Sequence, residues 1–200
     1  MQCVLVPTEV SGIGKVPVSV ACGLDFSLVL CEDNSLFAFG ANQRGQLGQG
    51  HTRPCSGPQL VGGFDAKIVS VACGAQFALV VTSSGAVYGW GINTDGQLLL
   101  VGEKNSDVLR PTRLQLHFDG ENDSVIQVSC GSGHVLALTR FGRVLSWGRN
   151  KNRQLGRSAS DGLEIALFDG GATHKAVAVA CGSEHSFVMT EMGRLFGFGR

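Results

Sequence analysis

Apolar residues fall at every second position ahead of four Cys-Gly dipeptides: Val18, Val20 and Cys22; Val69, Val71 and Cys73; Ile126, Val128 and Cys130; Val177, Val179 and Cys181. A period of two is that of a strand with one face on a core. Four residues after each Cys a second run begins, Phe26 to Leu30, Phe77 to Val81, His134 to Leu138 and His185 to Met189, apolar at nearly every position. Such a run suits a strand buried between two neighbouring sheets. A turn follows, with Asn34, Gly85, Gly142 or Gly193 at one shared repeat position, residue types that tolerate positive φ. A third strand then ends at an aromatic-Gly pair, Phe39-Gly40, Trp90-Gly91, Trp147-Gly148 or Phe198-Gly199, whose Gly lies eighteen residues past the Cys in every copy. An outer strand introduced by Pro7, Pro58 or Pro111 is expected ahead of the inner one, on an edge where Pro is tolerated. No run reads as a helix of ordinary length.

Four copies in register make a repeat protein, and a period near fifty residues indicates a propeller or solenoid built from one supersecondary unit. The expected fold is all-β: a β-propeller of four-stranded antiparallel blades, four units forming one repeat domain over 1–200, at about 1–50, 51–105, 106–157 and 158–200. The Cys-Gly strand is expected innermost, facing the axis. Successive cysteines are 51, 57 and 51 residues apart. The surplus six fall as two between Gln97 and Pro111 and four between Pro111 and Cys130, which marks those stretches as loops, because an extra residue inside a ladder would turn every later side chain to the other face.

Charge narrows the partners little, with 16 basic against 16 acidic residues. No segment has the run of roughly 18 apolar residues that spans a bilayer, and Met1-Gln2-Cys3 does not open like a signal peptide. The expected compartment is cytoplasm or nucleus, with no membrane partner. Seven cysteines, four of them at one repeat position, fit a reducing compartment. Cys22, Cys73, Cys130 and Cys181 are expected to be small buried hydrophobes, and Cys3, Cys31 and Cys55 show no metal-ligand spacing.

The unit V-x-V-[AS]-C-G, an aromatic or His four residues after the Cys, then [FW]-G-x-N and G-Q-L-G, resembles the regulator of chromosome condensation repeat. Its clearest copy runs from Phe39 through Gly40, Asn42, Gly45, Gln46, Leu47 and Gly48 to Gly50. The resemblance covers nearly the whole chain. It departs at Leu99, where the glycine after the Leu is lost, at Arg153, which replaces the first glycine, and at Gly199-Arg200, where the fourth copy stops. Members of that family close with seven blades, so the resemblance implies that four units are about half a ring and that the chain is a fragment.

His134 and His185 occupy the repeat position of Phe26 and Phe77, so a packed ring is the expected role. The glycine-rich stretch Gly45 to Gly50 is expected to join one blade to the next. It opens no helix and carries no following Lys, and Gly12-Ile13-Gly14-Lys15 lacks the spacing of a phosphate loop. Two features break the repeat. Arg140, Arg143, Arg149, Lys151, Arg153 and Arg157 come without an intervening acid, and Asp119, Glu121 and Asp123 lie in the insertion of the same unit. Basic side chains position acidic or phosphate-bearing partners, so these nine are the candidate partner-binding residues.

No catalytic constellation, metal set or cofactor site is expected, and no small-molecule substrate. The expected function is a non-enzymatic interaction propeller that binds a protein through its blade loops. The resemblance implies one alternative, guanine-nucleotide exchange on a small GTPase of the Ran type, and the basic stretch from Arg140 to Arg157 supports another, chromatin or nucleic-acid binding.

Overall fold

The computed structural model describes residues 6–100, 106–116, 123–157, 164–169 and 174–200. The strands within them form four antiparallel sheets. The first holds β1 (Pro17–Cys22), β2 (Phe26–Cys31), β3 (Leu36–Gly40) and β4 (Cys55–Val61), in that order. The second holds β5 (Ile68–Cys73), β6 (Phe77–Thr82), β7 (Val87–Gly91) and β8 (Val108–Arg113), and the third β9 (Val125–Cys130), β10 (His134–Thr139), β11 (Arg143–Gly148) and β12 (Glu164–Asp169). The fourth has three strands, β13 (Ala176–Cys181), β14 (His185–Thr190) and β15 (Leu195–Gly199). Among the described residues there is no helix, and so none long and apolar enough to cross a membrane.

The outer strand is placed differently from the sequence expectation. β4, with Pro58 inside it, pairs with β3 through Leu36↔Val61, Phe37↔Leu60 and Ala38↔Gln59, and so completes the preceding blade. Consecutive strands of a meander pair with one another, and β3 would otherwise leave an open edge. Sequence unit and blade are therefore offset by one strand, and the loop carrying Gly45 to Gly50 joins two strands of one sheet, not two blades. The strand expected at Pro7 is irregular chain through residues 6–16. Among the described residues no sheet stands ahead of β1 to offer it a β3 edge.

Second strands carry the core. β6 and β10 are buried at all six positions, while β14 alternates exposed and buried. The inner strands pack in series, β1 on β5, β5 on β9 and β9 on β13. Thus the sheets form an open arc whose inner blades are covered on both faces and whose end blades are covered on one.

The Cys-Gly spacing has a steric cause. A Cβ on Gly23, Gly74, Gly131 or Gly182 would overlap the ring of Phe26, Phe77, His134 or His185, three residues on. The same glycines donate their N–H to the carbonyls of those ring residues at 2.8–2.9 Å, which closes the β1–β2 type of turn. The next residue ties the blades together at the axis: Leu24 N–H donates to Ala75 O (3.1 Å), Ala75 N–H to Ser132 O (3.3 Å) and Ser132 N–H to Ser183 O (2.9 Å).

The four repeat cysteines line the axial opening together with these turns. Cys22 is exposed and Cys73, Cys130 and Cys181 are half-buried, so the expectation of fully buried side chains is corrected. Innermost strands wall the axis and have no further sheet to cover them. Surrounding atoms still disfavour the thiolate: burial pushes Cys73 and Cys130 well up and Cys181 up to about 11. These are protonated thiols at neutral pH.

Candidate partner-binding face

Two kinds of loop emerge at opposite ends of the strands. The β2–β3 hairpins, with Asn34, Gly85, Gly142 and Gly193 at φ of 68–82°, lie at one end. The short β1–β2 turns and the long β3–β4 loops lie at the other.

The long loops fold on themselves. Asn42 Oδ1 accepts Leu47 N–H at 2.9 Å and Gln46 Oε1 accepts Arg44 N–H at 2.9 Å. The second copy repeats this with Asn93 to Leu98 (2.9 Å) and Gln97 to Asp95 (2.8 Å), and the third with Asn150 to Leu155 (3.0 Å) and Gln154 to Asn152 (2.9 Å). The side-chain oxygens of the motif's Asn and Gln are thus engaged within the loop. Leu99 and Arg153, which replace glycines, sit at φ of 48° and 61°, so the backbone keeps a left-handed conformation where the sequence no longer supplies the residue suited to it.

Each loop is then fastened to the following blade. Asp95 Oδ2 accepts Arg149 Nε at 3.0 Å and Nη2 at 2.7 Å. Arg44 pairs with Asp107 at 3.3 Å, and Asn152 Nδ2 donates to Glu184 Oε2 at 2.8 Å. Arg44, Asp95 and Asn152 occupy one repeat position, so a single place in the motif reaches across every blade boundary with a different charge each time. Asp95, Asp107 and Glu184 were missed by sequence reasoning. Only the shared position of Arg44, Asp95 and Asn152 could have pointed to them.

The six basic residues do not form one patch. Arg140 and Arg143 flank the β10–β11 turn at the hairpin end, where Arg143 Nε lies 3.8 Å from Asp123 Oδ2. Asp123 Oδ1 accepts the N–H of Ser124 (2.8 Å) and of Phe141 (3.4 Å), which ties the third unit's insertion to that turn. Asp119 and Glu121 lie outside the described residues. Arg149, Lys151, Arg153 and Arg157 follow β11 at the opposite end. Arg149 is engaged with Asp95. Arg157 reaches back to Ser146, Nε to Oγ at 3.0 Å and Nη2 to the carbonyl at 2.6 Å. Lys151 and Arg153 are exposed and make no ion pair among the described residues.

His134 is buried between the third and fourth sheets, its Nε2 2.9 Å from Ser186 Oγ and its Nδ1 without a partner. Burial pulls its pKa down to about 4, so it is neutral at physiological pH. His185 is exposed and meets Phe187 edge-on at 5.6 Å. Among the described residues no group of three or more His, Cys, Asp or Glu is placed to hold a metal.

The RCC1-like domain family matches residues 2–200. The chain is 34% identical over 190 residues to the E3 ubiquitin-protein ligase HERC2 of Mus musculus, covering 93% of this chain and 4% of that one. It is 34% identical over 189 residues to the secretion-regulating guanine nucleotide exchange factor of Bos taurus, covering 90% of this chain and 40% of the relative. The crystal structure of human WBSCR16 superposes with a TM-score of 0.81 at 28% identity, over 96% of this chain and half (50%) of that one. The chain thus spans half or less of each of these three proteins. From the four recurring sheets and a family match running from residue 2 to residue 200, we conclude that the chain belongs to the RCC1-like domain family.

Proposed function

We propose that the chain is a non-enzymatic interaction module that holds a protein partner with an acidic surface against its long-loop face. The observation that carries this reading is the pair Lys151 and Arg153. Both cations are exposed on a loop fixed by its internal Asn150 and Gln154 hydrogen bonds and by the Asn152–Glu184 contact to the next blade. A preorganised loop loses little conformational freedom on binding, and unpaired cations steer an acidic partner. A reducing compartment, cytoplasm or nucleus, fits the six described cysteines, all of them free. The test is comparative capture from lysate by the wild type, by a Lys151→Ser/Arg153→Ser chain and by Arg140→Ser on the other end. A protein held by the first and third and lost from the second supports the reading. Equal capture by all three contradicts it.

The name of the bovine relative supports a second reading, guanine-nucleotide exchange on a small GTPase. Acceleration of nucleotide release from a Ran-type GTPase by the wild-type chain would put exchange first. A third reading, chromatin or nucleic-acid binding through the same basic loop, predicts salt-sensitive binding to a DNA duplex that falls in the double variant.

A further inference from the structure

The tips of the β2–β3 type of hairpin carry one repeat position that the ladders do not use. It is filled by Asp33, Ser84, Phe141 and Met192, eleven residues past each repeat cysteine. All four are exposed, the first three with a following blade in place, so the exposure belongs to the position and not to an end blade. In the first two copies the side chain is satisfied within its own unit: Asp33 pairs with Lys15 at 2.8 Å, and Ser84 Oγ donates to Asp65 Oδ2 at 2.9 Å. In the other two it is a large apolar group in water, Phe141 at 46% exposure and Met192 at 68%. Single exposed apolar side chains are ordinary on a protein surface, but a neighbouring pair at a position that accepts Asp or Ser is not demanded by the scaffold.

The third and fourth tips are also fastened to each other. Ala176 N–H donates to Gly142 O at 2.9 Å, and a Cβ on Gly142 would overlap the Lys175 stem that crosses it. Glu191 N–H donates in turn to Lys175 O at 2.9 Å, and Lys175 Nζ lies 3.5 Å from Glu191 Oε2. Phe141 and Met192 thus stand on adjacent hairpins whose spacing is set by the blade boundary. The charge around them is positive. Arg140 is exposed and makes no ion pair among the described residues, and Arg143 and Arg194 take the position that is Ser35 and Ala86 in the first two copies. Against these and Lys175 stand Glu191 and Asp123, each already beside a cation.

We propose that these two tips dock a short amphipathic segment of a second partner protein, whose bulky apolar side chains cover Phe141 and Met192 and whose acidic residues meet Arg140 and Arg194. The apolar contact supplies the affinity, and the carboxylates fix register and orientation. A protein segment fits this face better than a membrane does. All four hairpins project from one end of the sheets, so a flat anionic surface resting on Phe141 and Met192 also meets Glu32 and Asp33 at the first tip, which repel it. A narrow segment lying across the third and fourth tips avoids them. The site is at the opposite end of the strands from Lys151 and Arg153, and so is independent of the long-loop face.

The probe is a phage library of random linear peptides, panned on the wild-type chain and counter-selected on Phe141→Ser/Met192→Ser. Those two changes restore the residue type of Ser84 and touch no ladder, so circular dichroism and the unfolding midpoint should match the wild type. Recovered peptides should be rich in Leu, Ile, Phe or Trp with Asp or Glu beside them, and should bind the double variant about tenfold or more weakly. Arg140→Ser, which leaves the long-loop face intact, should weaken them at low salt, with the difference shrinking as salt is added. Lys151→Ser/Arg153→Ser should bind them as the wild type does. Recovery of no peptide that tells the wild type from Phe141→Ser/Met192→Ser, recovery of neutral or basic sequences, or binding lost in Lys151→Ser/Arg153→Ser would each overturn the proposal. So would co-sedimentation of the wild type, but not of Phe141→Ser/Met192→Ser, with phosphatidylserine-containing vesicles, which would make the tips a membrane contact.

Discussion

Trp90, on the second sheet, donates its indole N–H across the blade boundary to the backbone carbonyl of Gln46, 2.8 Å away in the loop of the first. Trp147 does the same to Gln97 at 2.8 Å. The fourth copy has Phe198, which carries no donor, and there Ser186 Oγ supplies the hydrogen bond to Gln154 O at 2.8 Å. The aromatic of the repeat is therefore a fastener between blades as well as core. Trp147→Phe should leave the buried Gln97 carbonyl without a donor and cost about 1–3 kcal/mol in urea unfolding. An unchanged midpoint would show that the bond contributes only packing.

Arg149 and Lys151 are two residues apart on one loop, yet their substitution should differ. Arg149→Ser removes a two-point contact with Asp95 that joins two blades and should cost about 1 kcal/mol, given that the pair is partly exposed. Lys151→Ser should leave unfolding unchanged. In the sequence Arg149, Lys151 and Arg153 stand together as partner-binding candidates, with nothing to single out Arg149 as a structural residue. Equal effects of the two changes would restore that view.

Arg153 sits at φ 61° where the first and second copies have Gly45 and Gly96 at 74°. Arg153→Gly should stabilise the chain by about 1 kcal/mol, the left-handed penalty of a residue with a Cβ less the chain entropy that glycine adds to the unfolded state. Loss of stability in thermal unfolding would mean that the guanidinium makes a contact worth more than the strain.

His134 gives the fold an acid limit. Its pKa is about 4 in the folded chain, against 6.5 for an unperturbed imidazole, because burial disfavours the cation. Above about pH 6.5 both states are neutral and stability is full. As the pH falls from about 6.5 to about 4 the unfolded chain takes up a proton that the folded one refuses, so stability declines, by up to about 3 kcal/mol. His134→Phe, the residue type at Phe26 and Phe77, should flatten that slope in unfolding curves at pH 7 and pH 5. A slope that persists would place its origin in other groups.

Strand identity was legible in the sequence because period two and the Cys-Gly spacing repeat, and each has a local cause: Gly23 must lack a Cβ to admit Phe26, as Gly74 must for Phe77. Which sheet a strand joins was not legible. Pro58 begins a sequence unit but lies on the edge of the preceding blade, and alternation within a strand says nothing of which edge it pairs with. The blade fasteners were hidden for a different reason. Arg149 and Asp95 are 54 residues apart, and the position that Asp95 shares with Arg44 and Asn152 changes charge from copy to copy. The basic run looked like one patch because sequence distance does not show that β11 carries Arg143 to one end of the sheet and Arg149 to the other.

The interaction reading rests on Lys151 and Arg153. The most direct measurement is the affinity of the captured partner, titrated over a range of salt concentrations, for the wild type, Lys151→Ser/Arg153→Ser and Arg140→Ser. Two exposed cations that meet an acidic surface give binding that weakens with salt. The account predicts that the double variant binds more weakly and with a flatter salt dependence, while Arg140→Ser follows the wild type. Identical affinity and salt slope for all three chains would contradict it and leave the loop a solvated surface.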